Sequence, residues 1–214
     1  MHWLARHGET TWNVVGRYQG RLESPLSELG ERQARALGAY FKGCAARGEA
    51  VPARVVSSPL QRCAKTARRT AEALGLRVET DERLIEIAHG TWEGRYRDEL
   101  ERDDPIRYRA WRRDPAHVAF EGGESLGDVL GRWRAVARDL ERATDETLVV
   151  THDAVVRCAL LDIANRPLDD FWKMRVENAA FATLDVAGGR LTLREECCVE
   201  HLAGLRASTG GQAL

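Results

Sequence analysis

Leu4-Ala5-Arg6-His7-Gly8-Glu9-Thr10-Thr11-Trp12-Asn13 opens the chain, and the reading of this stretch decides the fold. A short apolar run ends in an arginine, a histidine and a glycine. An imidazole can attack phosphorus or carry a proton near neutral pH, and a guanidinium beside it can grip two anionic oxygens at once. The glycine lets the backbone approach a ligand closely. An isolated Arg-His pair is more often a surface dipeptide ahead of a turn, so the decision rests on what else the chain carries.

Working outward, residues 2–5 read as a short first strand and 8–20 as a loop. Ser27 caps a helix that runs to about residue 46, with Leu29, Ala36, Leu37, Tyr40, Phe41 and Cys44 on one face. Residues 54–57 form a second strand, and Ser58-Pro59 begins a helix that Gly75 ends. From 95 to 113 seven arginines meet five acids, together with Tyr96, Tyr108 and Trp111. This predicts a helical insertion (95–123) outside the main core, either a cap over the site or a solvated helical pair. Residues 124–142 carry the clearest amphipathic helical period in the chain. Residues 147–151 form a β-branched strand leading straight into His152, 154–164 return to a helix, and 181–186 with 190–194 form a terminal hairpin.

Strands alternating with helices predict an α/β fold: a single domain (1–202) with a mostly parallel sheet flanked by helices, followed by a flexible tail (203–214). Right-handed crossovers place the helix starts at one sheet edge, where ligands bind in such folds. Arg6-His7, the segment from Ser58 to Arg62, and His152 each follow a strand directly. The sequence itself therefore brings these three clusters to that edge.

Composition narrows the partners. The chain has 214 residues with 32 Lys and Arg against 33 Asp and Glu, so no global field draws it to nucleic acid or an anionic membrane. Any anion affinity is local. The five cysteines show no Cys-x-x-Cys spacing and read as free thiols in a reducing compartment. No signal peptide or membrane span is apparent, which predicts a cytoplasmic protein with neither a nucleic-acid nor a membrane partner. The terminal hairpin can pair across a homodimer or stay within its own sheet.

Arg6-His7-Gly8-Glu9-Thr10 with Trp12-Asn13 resembles the signature of the histidine phosphatase superfamily, the phosphoglycerate mutase-like proteins. The likeness continues through Ser57-Ser58-Pro59-Leu60-Gln61-Arg62, Leu84-Ile85-Glu86, Gly90-Thr91-Trp92-Glu93-Gly94, Gly122-Gly123-Glu124-Ser125 and Val150-Thr151-His152, covering residues 3–186. The resemblance implies a metal-independent phosphatase acting on a small phosphorylated metabolite, without cofactor, through a phosphohistidine at His7. Arg6 and Arg62 would hold the phosphate, helped by backbone N–H groups where the helices after Ser58 and His152 begin. His152, kept protonated by the phosphate, would stabilise the transition state.

One carboxyl with a raised pKa can protonate the leaving alcohol and later activate water. Composition does not choose among Asp81, Glu82, Glu86 and Glu93; the family pattern selects Glu86. The same pattern makes Asn13 and Gln19 binders of phosphate or substrate, while Trp12 and Trp92 read as packing. Asp153 departs from the family, which usually has a small residue after the second histidine. Either it caps the following helix or it reads substrate hydroxyl or amino groups.

Three rivals remain. A mutase would move phosphate between hydroxyls rather than release it, although the Tyr18-Gln19-Gly20-Arg21 context and the short insertion look more like the phosphatase branch. A metal-dependent phosphohydrolase could use His152-Asp153 with His89 or His117, both expected at the surface. A non-catalytic relative would bind a phosphorylated ligand, but it would be expected to lose a nucleophile or an arginine.

Overall fold

The computed structural model describes residues 1–207. Six strands make one sheet: β1 (His2–Arg6), β2 (Arg54–Ser57), β3 (Val78–Thr80), β4 (Thr147–Thr151), β5 (Phe181–Ala187) and β6 (Arg190–Cys198), in the order β3-β2-β4-β1-β5-β6. The first four run parallel, and the terminal hairpin adds two antiparallel strands beside β1. The α/β single domain with its mostly parallel sheet is thus as expected. β1 and β4 are buried along their whole length, as strands covered on both faces must be.

Strand side chains alternate between two cores. Trp3, Ala5, Val55, Leu148 and Val150 pack with Leu37 and Phe41 of α2 (Glu28–Ala46) and with Cys63 and Ala67 of α3 (Gln61–Leu74). Leu4, Val56 and Val149 face the larger core, built with α6 (Leu126–Arg142) and α7 (Asp153–Ile163). Gly75 ends α3 at φ 69°, the left-handed conformation a side chain would oppose. Three elements depart from the sequence reading. The loop at 8–20 contains a short helix, α1 (Thr11–Val14), closed by a reciprocal capping box between Thr10 and Asn13. The two-residue spacing after Gly75 hides the short edge strand β3. The helix after Ser58 starts only at Gln61, because Ser58 is turned to other partners described below.

The insertion carries α4 (Arg97–Asp103) and α5 (Pro105–Arg113), and it does not lie outside the core. Leu100 and Trp111 are fully buried in the larger cluster, beside Tyr108, Phe120 and Phe171. The alternation of arginines and acids masked three apolar anchors spaced along the two helices. In the expected tail, the Leu205 carbonyl accepts from Gln33 Nε2 at 2.8 Å and Arg206 pairs with Glu177; residues 208–214 lie outside the described residues. All five cysteines are free thiols. No helix among the described residues is long and apolar enough to cross a membrane.

Candidate active site

Strand register builds the site. Arg6, the last residue of β1, lies opposite Thr151, the last of β4, and the His7 N–H donates to the Thr151 carbonyl at 3.0 Å. His7 and His152 therefore leave neighbouring strands side by side, with ring centroids 5.3 Å apart. β2 ends one strand over, opposite Val150, and delivers Ser58 and the first turn of α3 with Arg62.

The loop after His7 is pinned from below. The Gly8 N–H donates to Thr66 Oγ1 and the Glu9 N–H to Gln33 Oε1, while the Glu9 carbonyl accepts from Ser27 N–H. A Cβ on Gly8 would stand 2.6 Å from the Gly30 carbonyl oxygen, so this glycine serves close approach to the chain's own α2 rather than to a ligand.

His7 is 2 % exposed. Its Nδ1–H donates to the Gly8 carbonyl at 2.7 Å, which leaves Nε2 with a lone pair. Burial, and then the Arg62 and Arg6 charges, hold its pKa well below the ordinary value, so the ring is neutral as a nucleophile requires. His152 is held through both ring nitrogens. Its Nδ1 accepts from Arg62 Nε at 3.2 Å, which places the ring proton on Nε2, 2.8 Å from Ser58 Oγ. Burial, then Arg62 and His7, push its pKa well down too.

Arg62 is held by the Leu22 and Gly20 carbonyls at 2.9 and 2.7 Å, and Arg6 by the Val176 carbonyl at 3.1 Å. Of the backbone donors expected at the two helix starts, the Gln61 N–H of α3 is taken by the Glu23 carboxylate at 3.1 Å.

Burial separates the four carboxylates that composition could not. Asp81 is bound to Arg83, Glu82 is exposed, and Glu93 accepts from the backbone of His89 and Arg21. Glu86 is 3 % exposed, and burial pushes its pKa up to about 7 against the opposing pull of Arg62. A carboxyl that gains and loses a proton near neutrality can act as acid and then as base.

Asn13 and Gln19 are both buried and converge on Thr10: Asn13 Oδ1 accepts from its N–H, and its hydroxyl lies 3.0 Å from both Asn13 Oδ1 and Gln19 Oε1. Asp153 does not cap the helix. His152 occupies the cap position and Asp153 the first helical one, with its carboxylate on Arg6 Nη1 at 2.9 Å and on Arg157. Two guanidiniums neutralise the charge that would otherwise repel a phosphate.

Sequence reasoning missed Ser58 as the partner of His152, and Cys63, whose sulfur lies 3.3 Å from His152 Nε2. It also placed His89 at the surface. That ring is fully buried against Tyr18, Trp111 and Phe120, and burial drives its pKa down to about 3. The Gly90-Thr91-Trp92 context looked like a turn; only the aromatic residues of the insertion, distant in sequence, close over it.

A basic cavity of about 550 Å³ adjoins the cluster, touching it through Arg6 and Asp153 and bounded by α4, α5 and residues 172–177.

The family described as the histidine phosphatase superfamily (branch 1) matches residues 2–198. Phosphoserine phosphatase 1 of Hydrogenobacter thermophilus is 37% identical over 186 residues, 85% of this chain and 84% of that protein. Adenosylcobalamin/alpha-ribazole phosphatase of Salmonella typhimurium is 30% identical over 194 residues, 90% of this chain and 93% of that one. Among solved structures, Bacillus stearothermophilus YhfR superposes with a TM-score of 0.84 at 35% identity, covering 94% of this chain and 98% of that chain.

Proposed function

The chain belongs to the histidine phosphatase superfamily, and on that premise we propose that it hydrolyses a small phosphomonoester through a phosphohistidine on His7, without a metal. The observation that carries the reading is an oriented His7 ring beside His152, which Arg62 contacts, with Arg6 next in the chain and a buried Glu86 carboxyl pushed up to about 7. The Nε2 lone pair of His7 attacks phosphorus while Arg6 and Arg62 bind the equatorial oxygens and the Ser58 hydroxyl, itself accepting from His152 Nε2–H, donates to one of them. The P–O ester bond breaks, and its electron pair takes the Glu86 proton to give the free alcohol. Glu86, now a carboxylate, removes a proton from water. The resulting oxygen attacks phosphorus, the P–N bond breaks, and His7 recovers its lone pair as inorganic phosphate forms.

Asn13 and Gln19 act in this scheme by holding Thr10 and the loop that carries His7. The Hydrogenobacter and Salmonella relatives are phosphatases, which favours release to water over transfer to a second hydroxyl. A metal-dependent reading lacks support at the cluster. Among the described residues, a grouping of His and carboxylates with ligand spacing occurs at Asp114, His117 and Asp169, exposed on the surface, while Asp153 is taken by two arginines. Free thiols throughout suit a reducing, cytoplasmic setting.

Phosphate release from a panel of phosphomonoesters in chelator, by wild type and His7→Ala, tests the proposal. Turnover by wild type alone is expected. Undiminished turnover by His7→Ala, loss of wild-type activity in chelator, or isomerised product appearing only with a bisphosphate primer would overturn it.

A further inference from the structure

The basic cavity beside Arg6 is large enough for a leaving group well beyond a phosphate and is built from segments distant in sequence. Six arginines line it against three carboxylates, a local excess of positive charge in a chain whose net charge is -1. Most of that charge is committed. Arg157 is bound to Asp153 and to the Phe171 and Met174 carbonyls. Arg175 and Arg206 share a single carboxylate, both donating to Glu177 Oε1.

Arg112 is different. It makes no salt bridge among the described residues, and its guanidinium lies over the Trp172 ring, 4.1 Å from the centroid. Trp172 is itself fixed, since its Nε1–H donates to the Trp111 carbonyl at 2.7 Å and its ring packs edge-on against Phe171 and Trp111. A guanidinium stacked on a fixed indole keeps its in-plane N–H groups for a planar anion, which is the fork geometry that carboxylate and phosphate match. Arg6 joins the two regions, because the residue that grips the transferred phosphate is also part of the cavity wall.

We propose that this cavity receives the leaving group of the ester and selects one bearing a second anionic group, with Arg112 on Trp172 as the residue that recognises it. The assignment rests on the phosphatase reading for the placement of the first phosphate at Arg6. Arg112 is a specificity residue and takes no part in bond breaking.

The test compares 4-carboxyphenyl phosphate with 4-carbamoylphenyl phosphate, which differ in the charge of one substituent. Wild type should favour the carboxylated ester in kcat/KM by about tenfold, the effect of one bidentate charge-assisted contact. Arg112→Gln should bring that ratio close to one, and Arg112→Lys, which keeps the charge and loses the fork, should fall between. Calorimetric binding of both esters to His7→Ala reads the same preference without turnover. A ratio near one in wild type, or one that survives in Arg112→Gln, overturns the assignment while turnover of the neutral ester leaves the phosphatase reading standing. If neither ester is hydrolysed, the binding ratio on His7→Ala still decides for or against the cavity as an anion site, and the wider panel of phosphomonoesters decides the phosphatase reading.

Discussion

At the scale of single residues, burial does most of the chemical sorting. Glu86 is kept partly protonated because water cannot reach it, and a proton that the folded state holds more tightly than the unfolded state carries a stability consequence. Its pKa is raised from 4.5 to about 7 in the folded protein, so its contribution is complete below about pH 4.5 and is lost as pH rises through 7. Glu86→Gln removes that loss. Denaturant unfolding should therefore find the variant more stable than wild type at pH 8 by up to about 3 kcal/mol, with the gap closing by pH 4. In the proposed mechanism the same proton goes to the leaving group, so wild-type kcat/KM should fall tenfold per pH unit above about 7, and Glu86→Gln should lose that limb together with most of its rate.

His89 works in the opposite direction. Its folded pKa is depressed to about 3, so stability present above the ordinary histidine range is lost as pH falls toward 3. Arg6, His7, Arg62 and His152 were legible in the sequence because each sits at or just after a strand end. Glu86 was legible only by family pattern. The reason for choosing it, its burial beneath residues from elsewhere in the chain, has no local trace. Asp153 was legible as an oddity, but its partner Arg157 lies one helical turn on, a spacing that any exposed ion pair also uses.

At the scale of elements, the His7 loop is held by backbone packed against backbone. A Cβ on Gly30, in the first turn of α2, would stand 1.9 Å from the Glu9 carbonyl oxygen, which no side-chain adjustment can relieve. Gly30→Ala should destabilise the protein by about 2 to 3 kcal/mol and lower kcat more than KM, since the displaced group is the loop that aims His7. Thermal unfolding with steady-state kinetics checks this. An unchanged kcat would show that α2 does not position the nucleophile. Strands and long helices were readable because their periods of two and 3.6 residues persist over several repeats. α1 and β3 are four and three residues long, too short to display a period, and both are fixed by partners elsewhere: Pro25 and Leu26 beside α1, β2 beside β3.

At the scale of the whole molecule, the insertion is part of the core. Trp111 is fully buried at the centre of an aromatic cluster that includes His89, Phe120, Phe171 and Trp172. Trp111→Ala should cost about 3 to 5 kcal/mol and shift one cooperative unfolding transition rather than melt a separate cap. A second, independent transition in calorimetry would contradict this. The charge-rich composition of 95–113 hid the packing because its few apolar residues are diluted by exposed arginines and acids.

Rapid-quench trapping of the enzyme during turnover, followed by mapping of the phosphorylated peptide, tests the central claim most directly. The account predicts an acid-labile phosphoryl group on the peptide containing His7, formed and consumed at rates compatible with kcat and absent from His7→Ala. A phosphoryl group on another residue, or phosphate release that proceeds with no phosphoenzyme at all, would contradict it.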